Sequence, residues 1–463
     1  METLAPPPSQ QHNFQVSFTE RSIVKPVHPL EKPKILALSN LDLLSGRFPV
    51  TYLYLYTNPS NFSFASIIES LKCSLAETLS YYQPFAGRIV ENQSTSEPEI
   101  VCNNNGAMLV EGHANISLKN LDLYHLDKSL QAGKLVSILD PDFPLQVQVT
   151  GYTCGGISIT FTFDHALGDA TAFGNFLVSW SQVAQKKPIS CMPDHTRHLL
   201  RPRCPPTYHP CLDQAFVKCS MQDILNMPTT HVLLKRMYHV DVSHINWLHR
   251  LASADGTNRT KIEAFSAYIW KAMATAIDGR RHDGKCNMGW LVDGRPRISN
   301  PGTHHDKKGG MTNYIGNVLS VAVAEASIEE LKQGSLPEVA SKVHDGISKV
   351  ANGEHFQDLI DWIECHRPGL MLSKIVLGRG GPTVVLSSGR RFPVSELDFG
   401  FGRPVLGTVC STIEKVGVGY INQRPSGRND GSWTVSAILW PQLVAALESD
   451  SVFQPMSPTH LQF

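Results

Sequence analysis

The sequence has no charge bias that would attract a polyanion. Lys plus Arg number 41, Asp plus Glu also number 41, and charged residues make up 18% of the 463 residues, below the usual figure of about 25%. Because no net positive field surrounds such a chain, nucleic acid and anionic membrane surfaces are not expected partners.

The sequence also lacks the signals of secretion, membrane insertion and structural zinc. It has no run of about 18 apolar residues, and its N-terminus, METLAPPPSQQHNFQ, has neither a basic start nor an apolar core. Its 10 cysteines form no C-x-x-C pair, which argues against a zinc ribbon or a redox dithiol. Glu2 stands where N-myristoylation needs glycine. We expect a cytoplasmic protein without a membrane anchor.

The patterns that are present predict an α/β fold. Hydrophobic residues make up 42% of the chain, and the length suits two or three domains. Residues 64–79 carry apolar side chains at helical spacing, which predicts a helix packed on a sheet. Residues 145–149 and 157–163 alternate apolar and polar side chains around Cys154-Gly-Gly, which predicts a two-strand hairpin.

A change of period and then a change of composition follow the hairpin. Apolar residues recur at helical spacing from Phe173 to Val183, and Pro188 is expected to end this helix. The next 20 or so residues are rich in proline and lack an apolar period, as an extended connector does. We therefore predict an N-terminal domain at 1–187, a connector at 188–215 and a C-terminal domain at 216–463.

The C-terminal domain is also predicted to mix strands and helices. The apolar patterns indicate helices at 262–273 and 356–363, strands at 383–386, 416–421 and 433–439, a turn at 424–432, and a last helix that opens on Pro441.

His165 and Asp169 form the first candidate site, at the junction between the hairpin and the helix. Continued alternation would place His165 on the inward face of the strand, where a neutral imidazole could take a proton from a hydroxyl or an amine. Asp169 suits the N-cap of the helix. The alternative is a hydrogen-bonded core histidine. The flanking sequence offers no third ligand, so a metal is not expected.

The H-x-x-x-D spacing is weak by itself, because the sequence contains it twice. The second pair, His209 and Asp213, lies at the end of the proline-rich connector with no strand before it. We therefore do not expect that pair to be catalytic.

A second candidate motif, Asp398-Phe-Gly-Phe-Gly402, lies in residues 387–404. Two glycines around an aromatic residue suit a tight turn. The motif is not that of a protein kinase, because no glycine-rich loop or His-Arg-Asp loop accompanies it. Residues 378–381 likewise lack the Gly-Lys-Ser/Thr that would cradle a phosphate.

In this order, the two motifs resemble the signature of the plant BAHD acyl-CoA-dependent acyltransferases. His165-Ala-Leu-Gly-Asp169 matches the family's H-x-x-x-D, and Asp398-Phe-Gly-Phe-Gly402 matches its D-F-G-W-G. The resemblance spans nearly the whole chain. Other segments similar to the family's are Leu38-Ser-Asn-Leu-Asp42, Tyr82-Gln-Pro-Phe-Ala-Gly-Arg88, Glu263-Ala-Phe-Ser-Ala-Tyr-Ile-Trp270, Val292-Asp-Gly-Arg295 and Tyr314-Ile-Gly-Asn317.

The resemblance implies two chloramphenicol-acetyltransferase-like domains with mixed sheets and a channel between them. There, acyl-CoA and a small-molecule acceptor would meet at His165, which would remove the acceptor's proton so that the acceptor attacks the thioester without a covalent acyl-enzyme. Asp169 would pair with Arg295 and hold the histidine loop. No cofactor would be bound besides the co-substrate acyl-CoA, and a monomer is the family expectation. The residues with an implied structural role are Asp398, Phe399, Gly400, Phe401 and Gly402.

Two departures from the family pattern bear on substrate choice. Phe401 replaces a tryptophan but keeps most of its apolar contact. Gly389 follows Ser388 where hydroxycinnamoyltransferases have a tryptophan that is thought to stabilise the oxyanion, so backbone N–H groups, a hydroxyl or water would have to serve. The surrounding residues resemble the subgroup that contains coniferyl alcohol acyltransferases, which implies a small acyl group on a phenylpropanoid alcohol.

The same segment contains candidates for binding coenzyme A. Its phosphates require local cations and hydroxyls, and the candidates are Ser387, Ser388, Arg390 and Arg391. The alternative for the two arginines is ordinary solvated loop charge. For the protein as a whole, two other functions stay open: acylation of an amine acceptor, and a non-catalytic homologue that only binds a ligand.

Overall fold

The computed structural model describes most of the chain. The described residues are 14–59, 61–130, 134–136, 138–220, 222–223, 233–277, 284–298, 311–378, 381–389, 392–410, 418–461 and 463. Within these ranges no helix is long and apolar enough to cross a membrane.

Strands and helices are mixed along both halves of the chain. The strands are β1 Val16–Val24, β2 Lys34–Ala37, β3 Pro49–Tyr56, β4 Arg88–Glu91, β5 Pro98–Cys102, β6 Ala107–Ala114, β7 Leu145–Tyr152, β8 Ile157–Asp164, β9 Phe216–Cys219, β10 Leu234–Val240, β11 Lys285–Asp293, β12 Leu319–Ser327, β13 Leu370–Ser373, β14 Thr383–Ser388, β15 Leu406–Cys410, β16 Gly419–Pro425, β17 Trp433–Leu439 and β18 Gln454–Pro455. The helices are α1 Asn40–Ser45, α2 Phe64–Tyr81, α3 Leu126–Ser129, α4 Ala170–Ala184, α5 Leu212–Ala215, α6 Val242–Ala252, α7 Lys261–Ala276, α8 Ile328–Gln333, α9 Leu336–Ser348, α10 Gly353–His366 and α11 Pro441–Leu447.

The first large sheet has the strand order β1-β6-β7-β8-β3-β15. β6 and β7 run parallel while β7 and β8 run antiparallel, so the sheet is mixed. The apolar faces of α2 and α4 pack on it, with Leu71, Phe161 and Trp180 in one buried cluster. The predicted hairpin and both predicted helices are confirmed, although α4 ends at Ala184, some residues before Pro188.

The second large sheet has the order β12-β11-β14-β16-β17-β10-β18. It is also mixed: β14 pairs in parallel with β11 and β16, whereas β12 pairs antiparallel with β11 and β17 pairs antiparallel with β16. Helix α7 begins with a capping box, in which Thr260 and Glu263 satisfy each other's free backbone N–H groups. It buries Trp270 against Trp290 of β11, with ring centroids 6.2 Å apart. The predicted helices that became α7, α10 and α11 are confirmed.

One strand from the C-terminal half lies in the N-terminal sheet. β15 pairs antiparallel with β3, in the register Leu406 to Leu55, and the Ser436 hydroxyl of β17 donates to the Val409 carbonyl at 2.8 Å. The two sheets are therefore joined through β15. The predicted domain bounds stay a prediction, but this crossing has no counterpart in them.

The predicted turn at 424–432 is wrong at its start. β16 continues through Arg424 and Pro425, which pair with Thr434 and Trp433 of β17, so the turn begins at Ser426. The reason is that the Arg424 side chain is buried, which the surrounding polar sequence does not reveal. Of the predicted strand at 416–421, residues 416 and 417 lie outside the described residues.

The proline-rich connector is anchored to the C-terminal half rather than free. The Asp194 N–H donates to the Asn313 carbonyl at 2.9 Å, and the Ile315 N–H donates to the Asp194 carbonyl at 2.7 Å. These bonds hold the connector against residues 313–315, directly beside the candidate active site.

Candidate active site

His165 lies in a short 3-10 turn, residues His165–Leu167, between β8 and α4. Asp164 caps this turn by accepting the Ala166 N–H at 2.9 Å. A Cβ on Gly168 would lie 2.6 Å from the Ala172 Cβ, so only glycine lets the chain turn this closely into α4. β8 ends at Asp164, one residue before His165, so the alternation of the strand does not itself extend to His165 and its inward placement stays a prediction.

The imidazole of His165 is half-buried and packs on an aromatic ring. Its centroid lies 4.7 Å from that of Phe48, with an interplanar angle of 35°. Burial lowers the pKa of His165, while the carboxylates of Asp169 and Asp164 act in the opposite direction. The net direction is downward from 6.5, so the ring is neutral at neutral pH and can accept a proton.

Asp169 has both carboxylate oxygens engaged, and neither points to solvent. One oxygen caps α4 by accepting the N–H groups of Thr171 at 3.0 Å and Ala172 at 3.1 Å. The other lies 2.8 Å from Arg295 Nη1 and accepts the Val318 N–H at 2.9 Å. Burial by itself raises the pKa of Asp169, but Arg295 and the N–H donors outweigh it and hold that pKa below its usual value.

Arg295 completes a buried ion pair with Asp169. The two side chains are 1% and 0% exposed. Arg295 Nη2 donates to the Gly316 carbonyl at 2.7 Å, and Asp293 lies 3.2 Å from Nη1. The structure thus brings Asp169 and Arg295 together, with most of the guanidinium donors satisfied.

A second buried ion pair, which the sequence analysis did not identify, lies close to the same turn. Asp42 Oδ2 lies 2.8 Å from Arg197 Nε, with side chains 0% and 6% exposed. Asp42 Oδ1 accepts both the backbone N–H and the side-chain amide of Asn317, and the same amide donates to the His165 carbonyl at 2.9 Å. The two family-like segments that end in Asp42 and Asn317 therefore meet at His165. Arg197 belongs to the connector.

Ser387, Ser388 and Gly389 lie at the end of β14, and a buried arginine supports them. Arg424 donates to the Ser387 carbonyl at 2.9 Å, to its hydroxyl at 3.2 Å and to the Asn422 side chain at 3.2 Å. These acceptors are neutral oxygens, and burial lowers the pKa of Arg424. Ser388 is exposed, with its hydroxyl on Gln423.

Arg424 occupies the space that a side chain at position 389 would need. A Cβ on Gly389 would lie 2.3 Å from the Arg424 Cδ and 2.6 Å from its Nε. The predicted CoA-binding residues Arg390 and Arg391, which follow Gly389, lie outside the described residues.

The Asp398–Gly402 motif forms a tight loop. Asp398 Oδ1 accepts the N–H groups of Gly400 at 2.8 Å and Gly402 at 3.0 Å. Both glycines have positive φ, 98° and 110°, which a side chain would strain.

The aromatic residues of this motif pack on the N-terminal sheet and helix. The ring centroid of Phe399 lies 5.1 Å from that of Trp180 in α4, and the ring centroid of Phe401 lies 5.2 Å from that of Tyr56 in β3. The motif therefore stands in the C-terminal half of the sequence but is held by N-terminal elements.

The second H-x-x-x-D pair has local structural contacts instead. Asp213 accepts the Trp362 indole N–H at 2.8 Å, and the exposed His209 accepts the Cys211 N–H at 3.2 Å. Across the described ranges, no group of three His, Cys, Asp or Glu residues could hold a metal ion.

The two mixed sheets, joined through β15, have the two-domain fold of the chloramphenicol-acetyltransferase type that the resemblance implies. The model of a family described as the transferase family matches residues 14–453. The chain therefore belongs to this family, the BAHD acyl-CoA-dependent acyltransferases, and is an acyl-CoA-dependent acyltransferase.

Similar proteins cover nearly the whole chain. An anthranilate N-benzoyltransferase of Dianthus caryophyllus is 29% identical over 92% of this chain and 97% of its own. A hydroxycinnamoyltransferase of Narcissus pseudonarcissus is 26% identical over 92% and 96%. Vinorine synthase has a TM-score of 0.68 at 21% identity, covering 95% of this chain and 99% of its own. TRI101 of F. sporotrichioides, in complex with coenzyme A and T-2, has a TM-score of 0.72 at 16% identity, covering 90% and 98%.

The buried ion pair gives the first prediction. Asp169→Asn keeps an oxygen that can cap α4 but leaves the buried Arg295 with only the partly exposed Asp293 as a charged partner in the described structure, so the free energy of unfolding should fall by about 3 to 5 kcal/mol. Urea unfolding measures this loss. The matched control is Asp293→Asn, whose side chain is 27% exposed and which should cost about 1 kcal/mol or less. Equal losses in the two variants would contradict the dominant role of the Asp169–Arg295 pair.

The close contact between Gly389 and Arg424 gives the second prediction. Gly389→Ala should lower the free energy of unfolding by about 1 to 3 kcal/mol, because the new Cβ overlaps Arg424. The check is a double-mutant cycle with Arg424→Ala, measured by thermal unfolding. In the Arg424→Ala background the cost of Gly389→Ala should largely disappear; simple additivity would show that the contact does not matter.

Proposed function

We propose that this enzyme transfers an acyl group from acyl-CoA to the hydroxyl group of a phenylpropanoid alcohol such as coniferyl alcohol, with His165 as the general base. The observation that carries the proposal is the half-buried, neutral imidazole of His165 at a strand end, where Asp169 is committed to Arg295 and is not available as a base.

In the proposed reaction His165 acts first as a base and then as an acid. The imidazole of His165 takes the proton of the acceptor hydroxyl, and the oxygen attacks the thioester carbonyl carbon of acyl-CoA. The tetrahedral intermediate collapses by breaking its carbon–sulfur bond. The new ester leaves, and His165 returns the proton to the CoA thiolate, so no covalent acyl-enzyme forms and the base is regenerated.

Asp169 and Arg295 have a positioning role in this proposal. Their pair fixes the start of α4 and, with it, the turn that presents His165. The main chain of the base is also held by Asn317. Preorganisation of this kind keeps the base within reach of the acceptor proton.

Ser387 and Ser388 are proposed to lie near the phosphates of coenzyme A, together with Arg390 and Arg391. Ser388 is the more available of the two serines, since the Ser387 hydroxyl is buried and already accepts from Arg424. Gly389 offers no side-chain donor to the oxyanion, so a backbone N–H, a hydroxyl or water takes that role. The Asp398–Gly402 loop is proposed to be structural.

Acylation of an amine is the second candidate. It is favoured by the similarity to an anthranilate N-benzoyltransferase, which at 29% identity is comparable to the 26% of the hydroxycinnamoyltransferase. The same base serves both acceptors, because His165 removes one proton from either nucleophile.

The third prediction is an assay of the purified protein. Acetyl-, benzoyl-, p-coumaroyl- and feruloyl-CoA are each offered with coniferyl alcohol or an aromatic amine, and release of the CoA thiol is followed. We expect acceptor-dependent release with the alcohol, reduced about 100- to 10,000-fold in His165→Ala, since general-base catalysis contributes a factor of this size.

The control for this assay is His209→Ala, which removes the histidine of the second H-x-x-x-D pair. It should retain the full rate, because His209 is exposed and bonds only within its own loop and to Asp358 in the described structure. Preference for the amine would select the second candidate. An undiminished rate in a folded His165→Ala variant would remove His165 as the base.

A further inference from the structure

The corner between α1 and β3 contacts the catalytic turn through its main chain. The His165 N–H donates to the Phe48 carbonyl at 3.0 Å. Since Asn317 donates to the His165 carbonyl, the backbone of His165 is held at both its N–H and its carbonyl.

The same corner covers one face of the imidazole. The Phe48 ring lies 4.7 Å from the His165 ring, centroid to centroid, and both side chains are half-buried. An aromatic ring at this distance excludes water from that face and restricts rotation of the imidazole about its χ2.

The neighbouring residue, Arg47, neutralises the carboxylate that precedes the histidine. Its Nε and Nη2 lie 3.0 Å and 2.9 Å from one oxygen of Asp164. Asp164 is 7% exposed, whereas Arg47 is 42% exposed. The other oxygen of Asp164 caps the turn through the Ala166 N–H, so Asp164 joins the corner to the turn.

We propose that Arg47 and Phe48 are positioning residues for the catalytic base: they orient the imidazole of His165, keep one of its faces dry and compensate the negative charge next to it. This inference rests on the proposed role of His165. It assigns a function to a corner that carries no part of the two sequence motifs.

The charges around His165 support this assignment. The ring is influenced by the carboxylates of Asp164 and Asp169 and by the Asn317 side chain. Each carboxylate has its own arginine, Arg47 for Asp164 and Arg295 for Asp169. Removing Arg47 leaves the Asp164 charge uncompensated, which favours the protonated imidazole. Removing the Phe48 ring admits water, which also favours the protonated imidazole.

The experiment is the pH dependence of kcat/KM for the full-length enzyme with its best acyl-CoA and acceptor, the fourth prediction. In Phe48→Ala the acidic limb of the profile should move upward by about half to one pH unit, and kcat should fall by about 10- to 100-fold. The KM for acyl-CoA should stay within about twofold of the wild-type value, because no uniform binding contact is removed.

Conservative and matched variants separate positioning from general structure. Phe48→Tyr and Arg47→Lys should restore the wild-type profile, whereas Arg47→Gln should shift it in the same direction as Phe48→Ala. The control is Phe64→Ala, which removes a ring 4.5 Å from His113, a contact of the same kind away from the site. It should leave the profile unchanged.

Phe48→Leu is the fallback if Phe48→Ala does not fold, since it keeps apolar bulk without the ring. A wild-type kcat in Phe48→Leu, which lacks the orienting ring, together with a wild-type pH profile in Arg47→Gln, which lacks the compensating charge, would overturn the inference. His165→Ala, measured in parallel, distinguishes the two levels of proposal. If that variant keeps its rate, the base itself is wrongly assigned; if it loses its rate while the corner variants keep the wild-type profile, only the corner is wrongly assigned.

Discussion

The ion pair between Asp169 and Arg295 is the constraint on which the active site depends. It is buried, so it would be unfavourable without further partners, because both charges lose their hydration. Here the remaining groups are engaged: the carboxylate caps α4 and accepts the Val318 N–H, and the guanidinium donates to the Gly316 carbonyl. Since one partner comes from each half of the chain, the pair ties the turn that carries His165 to both halves.

The pair between Asp42 and Arg197 repeats this arrangement close to the same turn. Asn317 belongs to the segment that both arginines contact, and it joins Asp42 to the His165 carbonyl. The main chain of the histidine is thus immobilised by groups that never need to touch a substrate. The half-buried imidazole itself is left free for the proton transfer that we propose.

Local patterns in the sequence were sufficient for much of the fold. The hairpin, α4, α7 and α11 were predicted because their periodicity or their opening proline reflects local packing. The pairing of β15 with β3 was not predicted, because strands that are distant in sequence carry no local pattern that identifies their partner. The end of β8 at Asp164 was not predicted, and Arg197 and Arg424 were missed because buried arginines are indistinguishable in sequence from exposed ones.

Gly389 illustrates why a single departure from a family pattern is incomplete information. Considered alone, the glycine is a lost donor for the oxyanion. In the structure the same position is filled by the Arg424 guanidinium, which binds the Ser387 carbonyl and hydroxyl and leaves no room for a Cβ. The glycine at 389 and the buried arginine at 424 therefore depend on each other. A side chain at 389 and the Arg424 cation exclude each other, so a tryptophan at 389 would require a different residue at 424.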